Sequence, residues 1–242
     1  MKAKFNKTND SIAWAVYSWN PISGCLFNCD YCYARDLTKH YPKAFPNGFV
    51  PTFHPERLSA PVNTKLPADV DNGNSNVFVC SMADLFGPWV PQDWIDQVID
   101  ACAKAPAWTY IFLTKNPERL VGINWPKNAW VGTTIDCQSR IATAVSAFKE
   151  LNEHQFRPGV LFVSCEPMNE RLDFGDHGLD VFDWVIVGGR SASSGMKAFQ
   201  PEKAWVESLH DAARESGCMI FDKPNLKVNG LTINPKEFPN VR

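Results

Sequence analysis

Residues 129–165, AWVGTTIDCQSRIATAVSAFKELNEHQFRPGVLFVSC, place one helical pattern between two apolar runs. The runs AWVGTT (129–134) and GVLFVSC (159–165) are almost continuously hydrophobic, which is typical of parallel strands that are covered on both faces. Between them, apolar residues recur on one face of a helix over 136–151. A strand, a helix and a second strand in this order predict a right-handed βαβ unit and a parallel sheet.

The same alternation extends through most of the chain. The other strand-like runs are AWAVYSW (13–19), NVFVCS (76–81), TYIFLT (109–114), DWVIVGG (183–189) and CMIFDK (218–223). Two further amphipathic segments, 93–105 and 201–217, predict helices, and the second begins with Pro201 and ends on Gly217. Seven strands and their helices therefore follow one another without a linker.

We expect an α/β fold with a partial or near-complete parallel (β/α) barrel of six to seven strands, formed by a single domain over residues 1–242. An open, doubly wound sheet is the alternative. The Pro- and Asn-rich segment at about 36–76 predicts a partly helical insertion over the barrel mouth. An Asn-Gly pair in the tail, at about 225–242, predicts a hairpin.

Composition and charge exclude several classes of protein. The chain is 45% hydrophobic and 21% charged, which is ordinary for a globular domain. A formal net charge of −2 gives no overall attraction to nucleic acid or to an anionic membrane, although a local basic groove stays possible. No run approaches the roughly 18 apolar residues of a membrane span, and the first residues lack the apolar core of a signal peptide. We expect a cytoplasmic protein.

Three cysteines lie close together in the stretch SGCLFNCDYCYARDL (23–37), at a C-x3-C-x2-C spacing. A structural zinc site needs four ligands, usually in paired knuckles, and only His40 and His54 lie nearby, so zinc stays an alternative. A [4Fe–4S] cluster held by three thiolates would leave one iron open for a bound molecule. The remaining cysteines are interpreted as mostly small buried hydrophobes; they are Cys80, Cys102, Cys137, Cys165 and Cys218.

The cysteine spacing, with Tyr31 before the third cysteine and directly after the first strand of a βα series, resembles the radical S-adenosylmethionine superfamily. The resemblance implies a [4Fe–4S] cluster on Cys25, Cys29 and Cys32, whose open iron binds S-adenosylmethionine. It also implies a reducing electron donor as partner. One electron then cleaves the cofactor to a 5′-deoxyadenosyl radical, which abstracts hydrogen from a substrate.

A set of motifs between about Trp19 and Pro224 is similar to a phage- and mobile-element-associated family of radical-SAM-like proteins of unknown function. The motifs are SWNPISGC, CSMADLFG, FLTKNPERL, WVGTTIDCQSR, FVSCEP and DWVIVGGRSASSG. The phage association favours a nucleic acid or nucleotide substrate, with lyase or transferase-type chemistry: DNA modification, or repair of a photolesion of the spore-photoproduct-lyase kind. Two alternatives stay open: a radical enzyme acting on a peptide or small molecule, and a non-catalytic zinc- or cluster-stabilised accessory protein.

Active sites of (β/α) barrels are built at the C-terminal ends of the strands, so the residues after each apolar run are candidates. From this position and the resemblance, the predicted cofactor-binding residues are Tyr31, Ser81, Asp84, Thr114, Thr133, Ser164, Glu166 and Gly188. The predicted catalytic residues are Cys165, Lys115 and Arg190. Structural alternatives are a helix cap for Asp84 and Asp136, a solvated loop position for Lys115 and a buried thiol for Cys165.

Overall fold

The computed structural model describes residues 2–8, 12–70, 73–193 and 195–239. The strands in this part of the chain are β1 (Asn6–Lys7), β2 (Tyr17–Trp19), β3 (Ile22–Ser23), β4 (Thr52–Phe53), β5 (Asn76–Val79), β6 (Thr109–Thr114), β7 (Ala129–Thr134), β8 (Val160–Cys165), β9 (Trp184–Val187) and β10 (Met219–Asp222). The α-helices are α1 (Tyr33–His40), α2 (Ala60–Asn63), α3 (Gln92–Ala103), α4 (Ile141–Glu153) and α5 (Lys203–Glu215). None of these helices is both long and apolar enough to span a membrane.

Eight strands form one sheet in the order β1-β2-β5-β6-β7-β8-β9-β10. All neighbouring pairs from β2 to β10 are parallel, and only β1 pairs antiparallel with its neighbour. The predicted α/β fold with a largely parallel sheet is thus confirmed. The strand order follows the chain without the reversal that a doubly wound sheet needs. Among the described residues β1 and β10 remain the two edges, so the barrel is not closed.

The two faces of the sheet are covered differently. On one side, alternate strand residues such as Phe112 and Val131 pack with the buried faces of α3, α4 and α5 in a large outer core. On the other side lies an inner core without any helix residue, formed by Trp14, Ala15, Ile111, Trp130, Val160, Phe162, Trp184, Ile186 and Phe221. The three long helices therefore cover a single face, as they do in the wall of a barrel.

The segment predicted as an insertion, at about 36–76, packs beside the first strands. It contains β4, a 3₁₀ turn at Pro55–Ser59 and α2. The Phe53 ring stacks on Trp94 of α3 at 5.1 Å between centroids, and the Trp19 indole donates a hydrogen bond to the Arg57 carbonyl at 2.9 Å. These contacts fasten the segment to β2 and α3, next to the loop that carries the three cysteines.

The tail turns at Asn229 and Gly230 and then runs back along β10. The Asp222 amide donates to the Pro235 carbonyl at 2.8 Å, and the Glu237 amide donates to the Ile220 carbonyl at 2.9 Å. The tail thus pairs with the edge strand over a few residues and brings Phe238 onto the inner core.

Candidate cluster and cofactor site

The cysteine loop, residues 24–32, joins β3 to α1 across the C-terminal end of β5. The Gly24 amide donates to the Met82 carbonyl at 2.9 Å, and the Cys25 amide donates to the Phe49 carbonyl at 3.1 Å. Gly24 has a φ of +85°, and a Cβ added to it would lie 2.3 Å from the Val50 carbonyl oxygen. Only glycine fits this crossing, so the position of the first cysteine is fixed by the backbone before it.

The three thiols of the loop are free and partly exposed, and all eight cysteines of the chain lie in described segments without a disulfide. Burial raises the pKa of Cys25 to about 12, and it also raises the pKa of Cys29, which Lys115 in turn lowers. Thiolates of Cys25 and Cys29 therefore need a bound cation to be stable at neutral pH. No group of three or more Cys, His, Asp or Glu side chains in the described residues is placed to share a single metal ion.

A charged network lies beside the loop, where β6 and β7 end. The Lys115 ammonium lies 2.7 Å from both Asp136 Oδ2 and the Tyr31 hydroxyl, and that hydroxyl donates to the same carboxylate oxygen at 2.5 Å. Arg140 binds the other oxygen, Oδ1, at 2.7 Å. The Lys115 and Asp136 side chains are only 10% and 13% exposed. A cleft of about 320 Å³ opens beside Lys115 and Arg140 and is also lined by Thr133 and Thr134.

Asp136 is the centre of this network. The sequence analysis did not include Asp136 among the predicted site residues. Burial alone would raise its pKa, but Lys115, Tyr31 and Arg140 together hold the pKa below its usual range. The same burial and the adjacent carboxylate raise the pKa of Tyr31, so its phenol stays protonated. The sequence interpretation of Asp136 as a helix cap is not what the contacts show, because its side chain binds three other side chains. The i,i+4 spacing to Arg140 was the available signal.

Asp84 is buried, and protein donors occupy both of its oxygens. Oδ1 accepts from the Thr114 hydroxyl at 2.7 Å and from the Phe86 amide at 3.0 Å, while Oδ2 accepts from the Lys115 amide at 2.9 Å. Burial raises its pKa, and these bonds oppose the rise. Asp84 and Thr114 therefore tie the end of β5 to the end of β6 and fix the backbone of Lys115.

Ser81 lies at the edge of the loop and contacts Tyr33. The Tyr33 hydroxyl donates to the Ser81 carbonyl at 2.6 Å, while the residue as a whole is 50% exposed. The Ser81 hydroxyl faces Asn20 Oδ1 at 3.2 Å. The two tyrosines that flank Cys32 thus point to different strand ends, Tyr31 to β6 and β7 and Tyr33 to β5.

The strand alternation divides the remaining candidates between the two faces of the sheet. Thr133 and Cys165 share the outer side with Val131 and Val163, and the Thr133 hydroxyl donates to the Thr114 carbonyl at 3.0 Å. Ser164 shares the inner side with the inner core. Cys165 is fully buried against the helices, and this burial raises its pKa. The structure therefore does not bring Cys165 or Thr133 to the inner face, whereas Thr134 and Ser164 lie there.

A second polar group forms where β8, β9 and β10 end. The Lys223 ammonium lies 2.6 and 2.7 Å from the two oxygens of Glu166, and Asn225 Nδ2 donates to Oε1 at 3.0 Å. Gly188 lies against this group, because a Cβ there would come within 2.9 Å of Glu166 Cγ and 3.0 Å of Asn225 Oδ1. Asn225 Oδ1 is buried and accepts no hydrogen bond from the described residues.

Lys223 and Asn225 were absent from the predicted site, and Arg190 was included in it. Asp222 and Lys223 are adjacent residues at the end of β10, and adjacent strand residues point to opposite faces. Asp222 accepts from buried His210 at 2.9 Å on the outer side. The Arg190 guanidinium is held at the rim by Asn169 Oδ1 at 2.9 Å and by the Lys197 carbonyl at 3.2 Å.

Comparison with known proteins finds a family that matches this chain and solved structures with a similar fold. A family described as "Protein of unknown function (DUF5131)" matches residues 9–225. No curated protein matches the chain. Among solved structures, spore photoproduct lyase complexed with dinucleoside spore photoproduct is similar, with a TM-score of 0.57 at 10% identity over 92% of this chain and 80% of that one. A variant of that lyase with bound AdoMet and dinucleoside spore photoproduct gives a TM-score of 0.56 at 11% identity, over 90% and 78%.

Proposed function

The chain belongs to the DUF5131 family of proteins of unknown function, and from its site we propose that it is a radical S-adenosylmethionine enzyme. One observation carries the proposal: three free cysteines at a C-x3-C-x2-C spacing lie on a loop across the C-terminal end of a parallel sheet. Enzymes of this architecture bind substrates and cofactors at that end. The fold similarity to spore photoproduct lyase supports the same proposal.

The residues present fit the two groups that this function requires. Cys25, Cys29 and Cys32 supply three free, partly exposed thiols on one loop, which is the ligand type and number that a [4Fe–4S] cluster with one open iron takes. The unpartnered acceptor Asn225 Oδ1 fits a bound molecule with hydroxyl or amino groups, such as the nucleoside part of S-adenosylmethionine. When bound, the cluster and S-adenosylmethionine supply one electron and a 5′-deoxyadenosyl radical that takes hydrogen from the substrate.

The residues of the chain itself bind and orient these groups. Lys115 has three N–H donors and uses two of them on Tyr31 and Asp136, so one is left for a carboxylate of the cofactor. Asp84 acts indirectly, because it fixes the Lys115 amide. Tyr31 and Asp136 hold the ammonium in a mostly buried position, where its bond to a carboxylate is stronger than in water.

We propose nucleic acid or a nucleotide as the substrate, for DNA modification or for repair of a photolesion. The spore photoproduct lyase structures that the fold resembles hold a dinucleoside photoproduct. Tyr33, a half-exposed residue next to Cys32 whose hydroxyl is anchored on Ser81, supports this choice because bases stack on aromatic side chains. A peptide or small-molecule substrate, and a non-catalytic accessory role, are the alternative proposals.

The test is anaerobic reconstitution with iron and sulfide, followed by incubation with S-adenosylmethionine, dithionite and deuterated substrates. We expect about four irons and four sulfides per chain, and deuterium transferred to 5′-deoxyadenosine from an irradiated or unmodified oligonucleotide. Transfer from a peptide, with none from DNA or nucleotides, would contradict the proposed substrate. Stoichiometric zinc without iron or sulfide would contradict the enzyme and support the accessory role.

A further inference from the structure

Arg35 turns back from the first turn of α1 onto the cysteine loop. Its Nη2 donates to the Cys29 carbonyl at 2.5 Å, and its Nη1 donates to Asn28 Oδ1 at 2.6 Å. The Cys29 carbonyl also accepts the Cys32 amide at 3.2 Å. One guanidinium therefore binds two consecutive residues of the loop between the first and the third cysteine.

The loop contains one residue other than glycine with a left-handed backbone. Asn28 has a φ of +55°, in the region that residues other than glycine, Asn and Asp rarely adopt. A turn of this kind persists only when its surroundings hold it. The rigid, planar fork of arginine can bind a carbonyl and an amide oxygen at once, which a lysine ammonium on a flexible stem does less well.

We propose that Arg35 is a positioning residue that fixes Cys29 for the cluster and keeps a positive charge beside it; this inference rests on the proposed function. A cluster held by three thiolates becomes more negative when it accepts an electron. A neighbouring fixed cation therefore stabilises the reduced form and raises the reduction potential. Arg35 thus prepares the loop for the cluster and makes the cluster easier to reduce.

Lys39 provides a matched control on the same helix. Arg35 and Lys39 line one cleft of about 320 Å³, whose other lining residues are Asp30, Cys32, Asp36, Gly195 and Met196. The Lys39 side chain is 65% exposed, and its ammonium pairs with Asp36 at 3.9 Å. Replacing Lys39 removes a positive charge near the cluster without removing a bond to its loop.

The experiment compares Arg35→Gln, Arg35→Lys and Lys39→Gln with the wild type in two states. In the metal-free protein, backbone hydrogen exchange is measured on the peptide that spans residues 24–32. We expect about tenfold faster exchange in Arg35→Gln and Arg35→Lys, because charge-assisted bonds to the loop are weakened or lost, and unchanged exchange in Lys39→Gln. Unchanged thermal unfolding would show that each variant is folded.

In the reconstituted protein, the cluster potential is measured by a redox titration followed by electron paramagnetic resonance. We expect a drop in Arg35→Gln that corresponds to about a tenfold change in the reduced-to-oxidised ratio, or about 59 mV, with most of it restored in Arg35→Lys. Wild-type exchange and potential in Arg35→Gln would overturn the inference. A wild-type protein that takes up no iron and sulfide would instead overturn the proposed function, while the exchange comparison still decides whether Arg35 holds the loop.

Discussion

At the scale of single residues, Asp136 shows how a charge can be stable where it is mostly buried. Its carboxylate receives Lys115, Tyr31 and Arg140 from three different segments, so its desolvation is offset by several short bonds. Sequence reasoning placed Lys115 near the cofactor because it follows a strand. The i,i+4 spacing to Arg140 was the one local signal for Asp136, whereas its contacts with Tyr31 and Lys115 join distant segments and depend on the register of two strands.

The variant Asp136→Asn tests this network through the pH dependence of stability. A carboxyl whose folded pKa lies below its unfolded pKa stabilises the fold above the unfolded value, near pH 4, and loses that contribution as the pH falls further. We expect the variant to lose on the order of 3 kcal/mol of unfolding free energy at pH 7. The gap to the wild type should shrink below about pH 4, as followed by urea denaturation at several pH values.

A control for this experiment is Asp100→Asn on the exposed side of α3, which should differ little from the wild type at any pH. A loss in Asp136→Asn that stays constant from pH 7 down to pH 3 would argue against a charge-dependent role. The loss of stability would then come from lost packing rather than from lost ion pairing.

At the scale of elements, the apolar runs predicted β6 and β7 to the residue, because turn and loop residues bound both runs sharply. They could not tell which side of each strand meets the helices. A run that is apolar on both faces looks the same in either orientation, so the sequence could not show that Thr133 lies on the outer side and Thr134 on the inner face. The predicted strand at 13–19 is longer than the observed β2, because Trp14 lies outside the sheet and packs in the inner core.

The close approach of the cysteine loop to Val50 at Gly24 can be tested by substitution. Gly24→Ala combines a left-handed backbone with a clash against the Val50 carbonyl, so we expect about 3 kcal/mol less stability and poor iron uptake. Gly48→Ala has a similar φ, +58°, but nothing lies within 4 Å of the added Cβ, so its cost should be only about 1 kcal/mol. Denaturant unfolding of the metal-free variants measures both, and equal losses would contradict the packing argument.

At the scale of the whole molecule, the parallel sheet is open, and the tail covers its last strand. The sequence could not predict the tail contacts, since the Asn-Gly pair indicates a reversal of the chain but not the strand with which the tail then pairs. Phe238 of the tail packs on Trp184 and Phe221 of the inner core, at 5.5 and 5.2 Å between ring centroids. The tail therefore stabilises the side of the sheet that faces away from the helices.

Shortening the Phe238 side chain should weaken the whole fold. We expect Phe238→Ala to lose about 2 kcal/mol of unfolding free energy, because a largely apolar contact with two aromatic rings is removed. Ile233→Ala, at an exposed position of the same tail, should stay within about 0.5 kcal/mol of the wild type. Equal effects in thermal or denaturant unfolding would mean that the tail does not hold the edge of the sheet.

The central claim is that Cys25, Cys29 and Cys32 hold a cluster that cleaves S-adenosylmethionine. The most direct measurement is the formation of 5′-deoxyadenosine and methionine by reconstituted protein with dithionite, compared with Cys29→Ala and with Cys137→Ala, a cysteine outside the loop. The account predicts both products from the wild type and from Cys137→Ala, and only background from Cys29→Ala. Undiminished product from Cys29→Ala, or none from a wild-type protein that carries iron and sulfide, would contradict it.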